Sequence, residues 1–254
     1  MEFVPLYVRS EYSMLQSTCS IDKLVNTAKQ YGYKSLAVTD EGVMHGTIKF
    51  YKACKKAGIK PIIGLNVPYS LNGVISHILL YAMDVTGYRN LMRISSRYKI
   101  NNQPIDIEDL RKCSLGVLAV TPGVNNVIYS YLKQNNQKLL KEHLDILASV
   151  YPNLYAGITL TTINDRNNLS RYYEILHNLN VKMVGLQPVY YLSLQDVDAY
   201  TTLRSIANNA NLVTLSESDA NSYLLSLEEI EFLFSAYPEL IENSNYSVHE
   251  ILTM

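Results

Sequence analysis

The chain has 254 residues, enough for one α/β barrel with its own core, and its 48% hydrophobic and 18% charged residues exclude disordered, collagen-like and coiled-coil classes. With 22 basic against 23 acidic residues the net charge is −1, so no overall field draws the chain to nucleic acid or to an anionic membrane. No apolar run approaches the roughly 18–20 residues of a membrane span. The start MEFVPLYVRSEYS lacks the basic and apolar regions of a secretion signal, which points to the cytoplasm. Cys19, Cys54 and Cys113 are odd in number and form no CxxC pair, so buried or idle thiols are expected rather than disulfides or a zinc knuckle. The 21 Tyr against 4 Phe and no Trp mean that many ring positions carry a hydroxyl that needs a partner.

Strands and helices alternate along the chain. Residues Phe3 to Arg9 alternate in period 2, with Phe3, Pro5, Tyr7 and Arg9 on one face and Val4, Leu6 and Val8 on the other, as in a barrel strand. Ser20 caps a helix whose apolar residues Ile21, Leu24, Val25 and Ala28 share one face, with Gly32 past its end. A buried strand Ser35 to Asp40 leads to a helix of about Val43 to Ala57, stopped by Gly58. Strands follow at Lys60 to Gly64 and Val74 to Met83, then a helix near Gly87 to Tyr98 and a polar loop from Lys99 to Ile107. The strand Gly116 to Val120 precedes helices at about Val124 to Lys133 and Lys138 to Val150. The strand Leu154 to Leu160, the helix Asn167 to Leu179, the strand Val181 to Leu186 and helices near Leu194 to Asn209 and Leu227 to Ser235 close the pattern. Repeated βα units predict a parallel sheet covered by helices, as a barrel or a doubly wound sheet. The end at Ile251 to Met254, just past a helix and a polar loop, reads as a cut in a longer chain.

Barrels of this class keep their chemistry at the C-terminal ends of the strands, which here gather Tyr7, Arg9, Asp40, Glu41, Asn66, His77, Gly123 and Tyr190. His45 falls on the first turn of a helix. His143, His177 and His249 are scattered on helices or the tail without a partner at ligand spacing, which reads as surface placement. Asp196 and Asp198 stand at a helix start, where carboxylates meet the helix dipole and cap it. Arg89, Arg93 and Arg97 recur at i, i+4 and i+8 with Lys99 just beyond, and Lys49, Lys52, Lys55, Lys56 and Lys60 form a second basic cluster. These stripes suit contacts to phosphates or to a partner protein, or are solvated helix faces; no aromatic residues interleave with the arginines as a single-strand platform requires.

The segments Val8-Arg-Ser-Glu-Tyr-Ser13, Ala37-Val-Thr-Asp-Glu-Gly42, Phe50 to Gly64 and Thr86-Gly-Tyr-Arg-Asn-Leu-Met92 closely resemble the polymerase and histidinol phosphatase (PHP) domains that begin bacterial DNA polymerase III alpha subunits. Weaker likeness continues through Tyr191 to Asp196 and Ser226 to Phe234. The resemblance implies an irregular seven-stranded β/α barrel of TIM-like form. It implies one PHP domain over residues 1–254 (barrel about 1–210, helices about 211–254) at the N-terminus of a longer polymerase chain. Active members of the family bind Zn, Mn or Mg through a cluster of mostly histidine ligands, which suits phosphate ester hydrolysis. Position by position, the first strand's HxH pair falls on Tyr7 and Arg9, and the next acidic ligand on Gln16. The histidine of the family's TDH falls on Glu41, after Asp40, and a glutamate falls on Asn66; the following histidine is kept as His77. A Cys or His ligand falls on or near Gly123, and the closing Asp-x-His on Pro188 and Tyr190.

A guanidinium cannot ligate a metal and a proline ring offers no donor, so these positions read as a vestigial metal site with no cofactor expected. The resemblance then implies a structural and protein-interaction module in DNA replication. Its partners would be the remainder of the polymerase chain and a proofreading exonuclease subunit, with DNA reached through the full-length protein. The alternative is a metal-dependent phosphoesterase or 3′–5′ exonuclease with a reduced site, in which Asp40, Glu41, His45 and His77 hold a single ion. Arg9, placed where cations would sit, calls for an anion, and Asp40 or Glu41 is the nearest by topology.

Overall fold

The computed structural model describes residues 2–123, 126–211 and 213–250. Seven strands form one curled sheet: β1 (Ser35–Val38), β2 (Lys60–Leu71), β3 (Val74–Ala82), β4 (Ile105–Asp106), β5 (Val117–Thr121), β6 (Leu154–Thr159) and β7 (Met183–Leu186). Their order is β1-β2-β3-β5-β6-β7, with β4 paired to the far end of β2. Most neighbours are parallel, as βα units require, but β3 runs antiparallel to both β2 and β5. The expectation of an all-parallel sheet is corrected there. Asn72 and Gly73, both at positive φ, close a two-residue hairpin between Leu71 and Val74. Strand β2 also continues past Gly64, the expected end of its apolar run, to Leu71.

The first segment is not a regular strand, contrary to its alternation. It closes the curl through single bonds. Ala37 N donates to Pro5 O and Thr39 N to Val8 O on one side, while Val189 N donates to Tyr7 O and Arg9 N to Val189 O on the other. Val8 and Val189 form an isolated parallel bridge. The period slips between Leu6 and Tyr7. Val4, Leu6 and Tyr7 all belong to the inner core with Ile62, Leu79 and Leu118, whereas Phe3 and Val8 face the helices. A seven-strand sheet curled into a distorted TIM-like barrel results, with an inner core and an outer layer between sheet and helices.

Helix Ile21–Gln30 buries the four residues its periodicity selects, and Gly32 follows at φ +82. The next helix begins only at Thr47, so His45 precedes it rather than sitting on its first turn. Helix Val85–Asn101 is longer than expected, and the polar loop contains β4 and a short helix, Ile107–Lys112. The helix expected from Val124 is seen over Val127–Lys133; Val124 and Asn125 lie outside the described residues, as do Ile251 to Met254. The helix expected over Asn167 to Leu179 is seen as Leu169–Asn178, preceded by a short helix Ile163–Asn167 that the pattern did not mark. That expected over Leu194 to Asn209 is a 3-10 turn, Leu194–Asp196, running into helix Val197–Ala207. Asp196 does cap, accepting from Ser193 N and Oγ. Short helices Glu217–Ala220 and Leu227–Leu233 precede a further one, Glu239–Glu250, that the pattern did not reveal. This last helix is tied to the barrel: Val4 N donates to Ser244 Oγ at 3.1 Å and Asn243 Nδ2 to Met183 O at 2.8 Å. No helix among the described residues is long and apolar enough to cross a membrane.

Several buried tyrosine hydroxyls find partners, although those of Tyr129 and Tyr151 have none among the described residues. Tyr33 donates to Leu225 O and Tyr81 to Leu6 O, both in the core. Tyr69 meets His143 Nε2 at 2.6 Å, which corrects the surface placement of His143: the imidazole is buried on helix Gln137–Val150. Burial lowers the His143 pKa to about 4. In an unfolded chain the ring protonates near pH 6.5, so the unfolded state binds the extra proton between about pH 6.5 and 4. The stability conferred by a neutral His143 is therefore complete above that window and declines as pH falls through it. Urea midpoints should drop over this range less steeply in His143→Phe than in the parent. The comparison is needed because Asp165, raised to about 6 by burial, acts in the opposite sense. Equal slopes in the two proteins would refute the assignment.

Candidate functional site

Where the curl opens at the C-terminal end of β1, a cavity of about 240 Å³ is lined by Tyr7, Arg9, Glu41, His77 and Tyr190, joined by Pro122, Tyr200, Arg204 and Asp219. Each side chain is placed by the sheet's closure. Arg9 follows the bridge at Val8, Glu41 follows β1 and bridges Asn66 of β2, and Tyr190 follows the Val189 end of that bridge. His77 lies near the start of β3 because that strand runs backwards, which brings its N-terminal end to the mouth.

The Arg9 guanidinium is the centre of the site. Its Nη2 pairs with Glu41 Oε2 at 2.8 Å, and its Cζ sits 4.7 Å from the Tyr190 ring centroid and 5.8 Å from that of Tyr7. The Tyr190 hydroxyl donates to the Tyr7 hydroxyl at 3.3 Å across an edge-to-face pair. Burial works against the Arg9 charge, but Tyr7, Tyr190 and Glu41 hold it above its ordinary pKa. Arg9 Nε is buried without a hydrogen-bond partner among the described residues, as is Asn66 Nδ2. Asn66 Oδ1 lies 3.2 Å from His77 Nδ1. Burial lowers the His77 pKa; Glu41 opposes that shift and Arg9 adds to it.

Asp40 faces elsewhere. Its carboxylate accepts from Ser10 N, Ser10 Oγ and Ser13 Oγ, each at 2.7 Å, so the anion beside Arg9 is Glu41. Burial raises the Asp40 pKa against these hydrogen bonds. Asp40 instead fastens the Ser10–Ser13 turn to the end of β1. Gln16, Gly123 and Pro188 do not line the cavity. Gly123 abuts Thr159, whose Oγ1 a Cβ would meet at 2.4 Å. The sequence reading missed Pro122, Tyr200, Arg204 and Asp219. Tyr200 and Arg204 share a helix face at i and i+4, a usable signal, whereas nothing local marks Asp219.

Glu41, His77 and Asp219 are the cavity's side chains of metal-ligating type. They are not gathered, for among the described residues no three His, Cys, Asp or Glu side chains are placed to hold a metal ion. Glu41 is already engaged by a fixed cation. The donor set therefore fits a guanidinium–carboxylate pair among tyrosines and does not fit a multi-metal cluster.

A curled sheet with a polar cavity at the strand ends is the general plan of a β/α barrel, and this chain belongs to the PHP domain family, whose model matches residues 5–162. Relatives named DNA polymerase III subunit alpha include those of Aquifex aeolicus, Halalkalibacterium halodurans and Bacillus subtilis, each 30% identical. The alignments cover 91%, 96% and 96% of this chain and 22% of each relative, so the chain spans about a fifth of their length. Among solved structures, a two-domain protein from Bacteroides vulgatus containing a predicted PHP-like metal-dependent phosphoesterase aligns with TM-score 0.50 and 9% identity, over 90% of this chain and 61% of that one. An amidohydrolase from Chromobacterium violaceum with bound sulfate and no metal aligns with TM-score 0.52 and 13% identity, over 74% and 87% of the two chains. At such identities the likeness shows the fold alone.

Proposed function

We propose that this chain is the N-terminal PHP domain of a replicative DNA polymerase III alpha subunit, working in the cytoplasm as a non-catalytic structural and interaction module. The observation that carries this reading is the Arg9–Glu41 pair, which occupies the cavity where the family resemblance expects metal ligands. A fixed guanidinium supplies positive charge but cannot lower the pKa of a water or bind a leaving oxygen as a metal does. Tyr7 and Tyr190 fill the adjoining volume, and burial together with Tyr7 holds the Tyr190 hydroxyl neutral, well above its ordinary pKa. The module's role is then to pack against the rest of the polymerase chain and to dock a proofreading exonuclease subunit. DNA contact belongs to the full-length protein.

The purified chain should show no turnover of p-nitrophenyl phosphate or of a labelled single-stranded oligonucleotide with Mn²⁺ or Zn²⁺. Hydrolysis that EDTA abolishes, that co-purifies with the folded chain and that His77→Ala removes would establish the phosphoesterase or exonuclease alternative instead.

A further inference from the structure

A groove of about 730 Å³ lies on the outer face between helix Val85–Asn101 and helix Ile107–Lys112. Its rim carries Arg89, Arg93 and Arg97, all exposed, and its apolar lining includes Met92, Ile100 and Ile105. The one carboxylate in the lining, Asp109, is already neutralised: Arg97 pairs with it, and Lys112 Nζ lies 2.8 Å from its Oδ1. Among the described residues neither Arg89 nor Arg93 has a carboxylate partner. Arg93 is nevertheless held in place. Its Nη1 donates to Asn90 Oδ1 at 3.1 Å, and buried Asn90 is fixed in turn by donating Nδ2 to Leu115 O at 2.8 Å. The other edge of the guanidinium remains available for a bidentate acceptor.

The groove therefore offers two uncompensated cations, Arg93 held in orientation and Arg89 one turn before it, beside an exposed apolar strip. Ile100 is 81% exposed and Met92 39% exposed, and both line the groove. A phosphate backbone would use the arginines but leave that strip uncovered, and no aromatic ring lines the groove to stack a base. A polypeptide satisfies both features. Arg89 and Arg93 are one helical turn apart, about 6 Å along the axis, which nearly matches the roughly 6.8 Å between alternate side chains of an extended strand. We infer that this groove docks an extended, acidic segment of a partner protein, with carboxylates at alternate positions facing Arg89 and Arg93 and apolar side chains covering Met92 and Ile100. The inference deepens the interaction-module reading and rests on it, but it uses residues outside the cavity at the barrel mouth, so a hydrolysis result leaves it untouched.

Selection of a displayed random-peptide library on the purified chain tests the assignment. Enriched peptides should combine Asp or Glu at alternate positions with Leu, Ile or Val. Measured by anisotropy, a labelled selected peptide should bind about tenfold or more weakly to Arg89→Glu/Arg93→Glu and also weakly to Ile100→Asp. Exchanging the peptide's acids for lysines should restore binding to the charge-reversed chain. Both variants alter exposed side chains, and their circular dichroism melts should match the parent's. Failure to enrich any peptide, enrichment without acidic residues, or binding indifferent to the substitutions would overturn the inference. So would an oligo-dT probe that binds the parent, is lost on charge reversal and ignores Ile100→Asp, because that outcome assigns the groove to nucleic acid.

Discussion

Replacing Arg9 with alanine should lower the unfolding free energy by about 2–4 kcal/mol, because it strands Glu41 in a tyrosine-lined cavity without its cation. Removing one member of a buried ion pair typically costs 3–5 kcal/mol; the side chains here keep 14% and 19% exposure, which reduces the figure. Loss of the guanidinium's contact with the Tyr190 ring adds to the deficit. For a domain of this size the change corresponds to a fall in melting temperature of roughly 5–15 °C. The double change Arg9→Met/Glu41→Leu should recover most of it, since apolar side chains of similar bulk remove the charge and fill the space. His77 provides an independent readout. Arg9 pushes its pKa down and Glu41 pushes it up, so the imidazole titration followed by NMR should move upward in Arg9→Ala and downward in Glu41→Gln. Shifts in the same direction, or an Arg9→Ala chain that melts within about 2 °C of the parent, would contradict the ion-pair account.

Much of this site was legible because residue types at strand ends can be read one by one. Arg9, Glu41 and Tyr190 were marked by their place after or at the edge of apolar runs, Tyr7 and His77 as polar residues within them, and all five line one cavity. The choice between Asp40 and Glu41 was not legible: adjacent residues leave a strand end in opposite directions, and only the Ser10–Ser13 turn decides which one is taken up. The direction of β3 had a signal that the apolar pattern hid. Asn72-Gly73 is the strongest short hairpin mark a sequence carries, but reading β2 as ending at Gly64 detached the turn from its first strand. His143 also had one, since it shares the apolar stripe of Leu140, Leu144 and Leu147. The slip at Leu6 and Tyr7 had none. It arises from closing an irregular sheet through isolated bonds, and that is a property of the assembled strands rather than of the segment. Arg204 and Asp219 reach the cavity from helices beyond the last strand, whose placement depends on the whole tertiary structure.

Gly87→Ala should be more damaging than its position in a helix suggests. In a helix interior the change normally stabilises by about 1 kcal/mol, because alanine is the better helix former. Here a Cβ on Gly87 would lie 1.8 Å from the carbonyl oxygen of Gly116 and 2.7 Å from its carbon. Both are backbone atoms. Gly116 is itself at φ +72, where side chains are disfavoured, and its carbonyl accepts from Met83 N at 2.8 Å while Asp84 Oδ1 caps the helix by accepting from Gly87 N at 2.7 Å. The helix start, the end of β3 and the entry to β5 thus meet with no room for a methyl group, which gives the Thr86-Gly-Tyr-Arg-Asn-Leu-Met92 segment a structural reason for its glycine. Relief needs a backbone shift of more than an ångström through three elements, a cost of about 4 kcal/mol or more. Gly58→Ala is the control. That glycine has φ +77 but nothing within 4 Å of its Cβ position, so its substitution should cost only the roughly 1–2 kcal/mol of the left-handed conformation. Chemical denaturation of the two variants separates the effects: Gly87→Ala should unfold at much lower urea than Gly58→Ala, and a Gly87→Ala chain as stable as the parent would mean that the close approach to Gly116 relaxes freely.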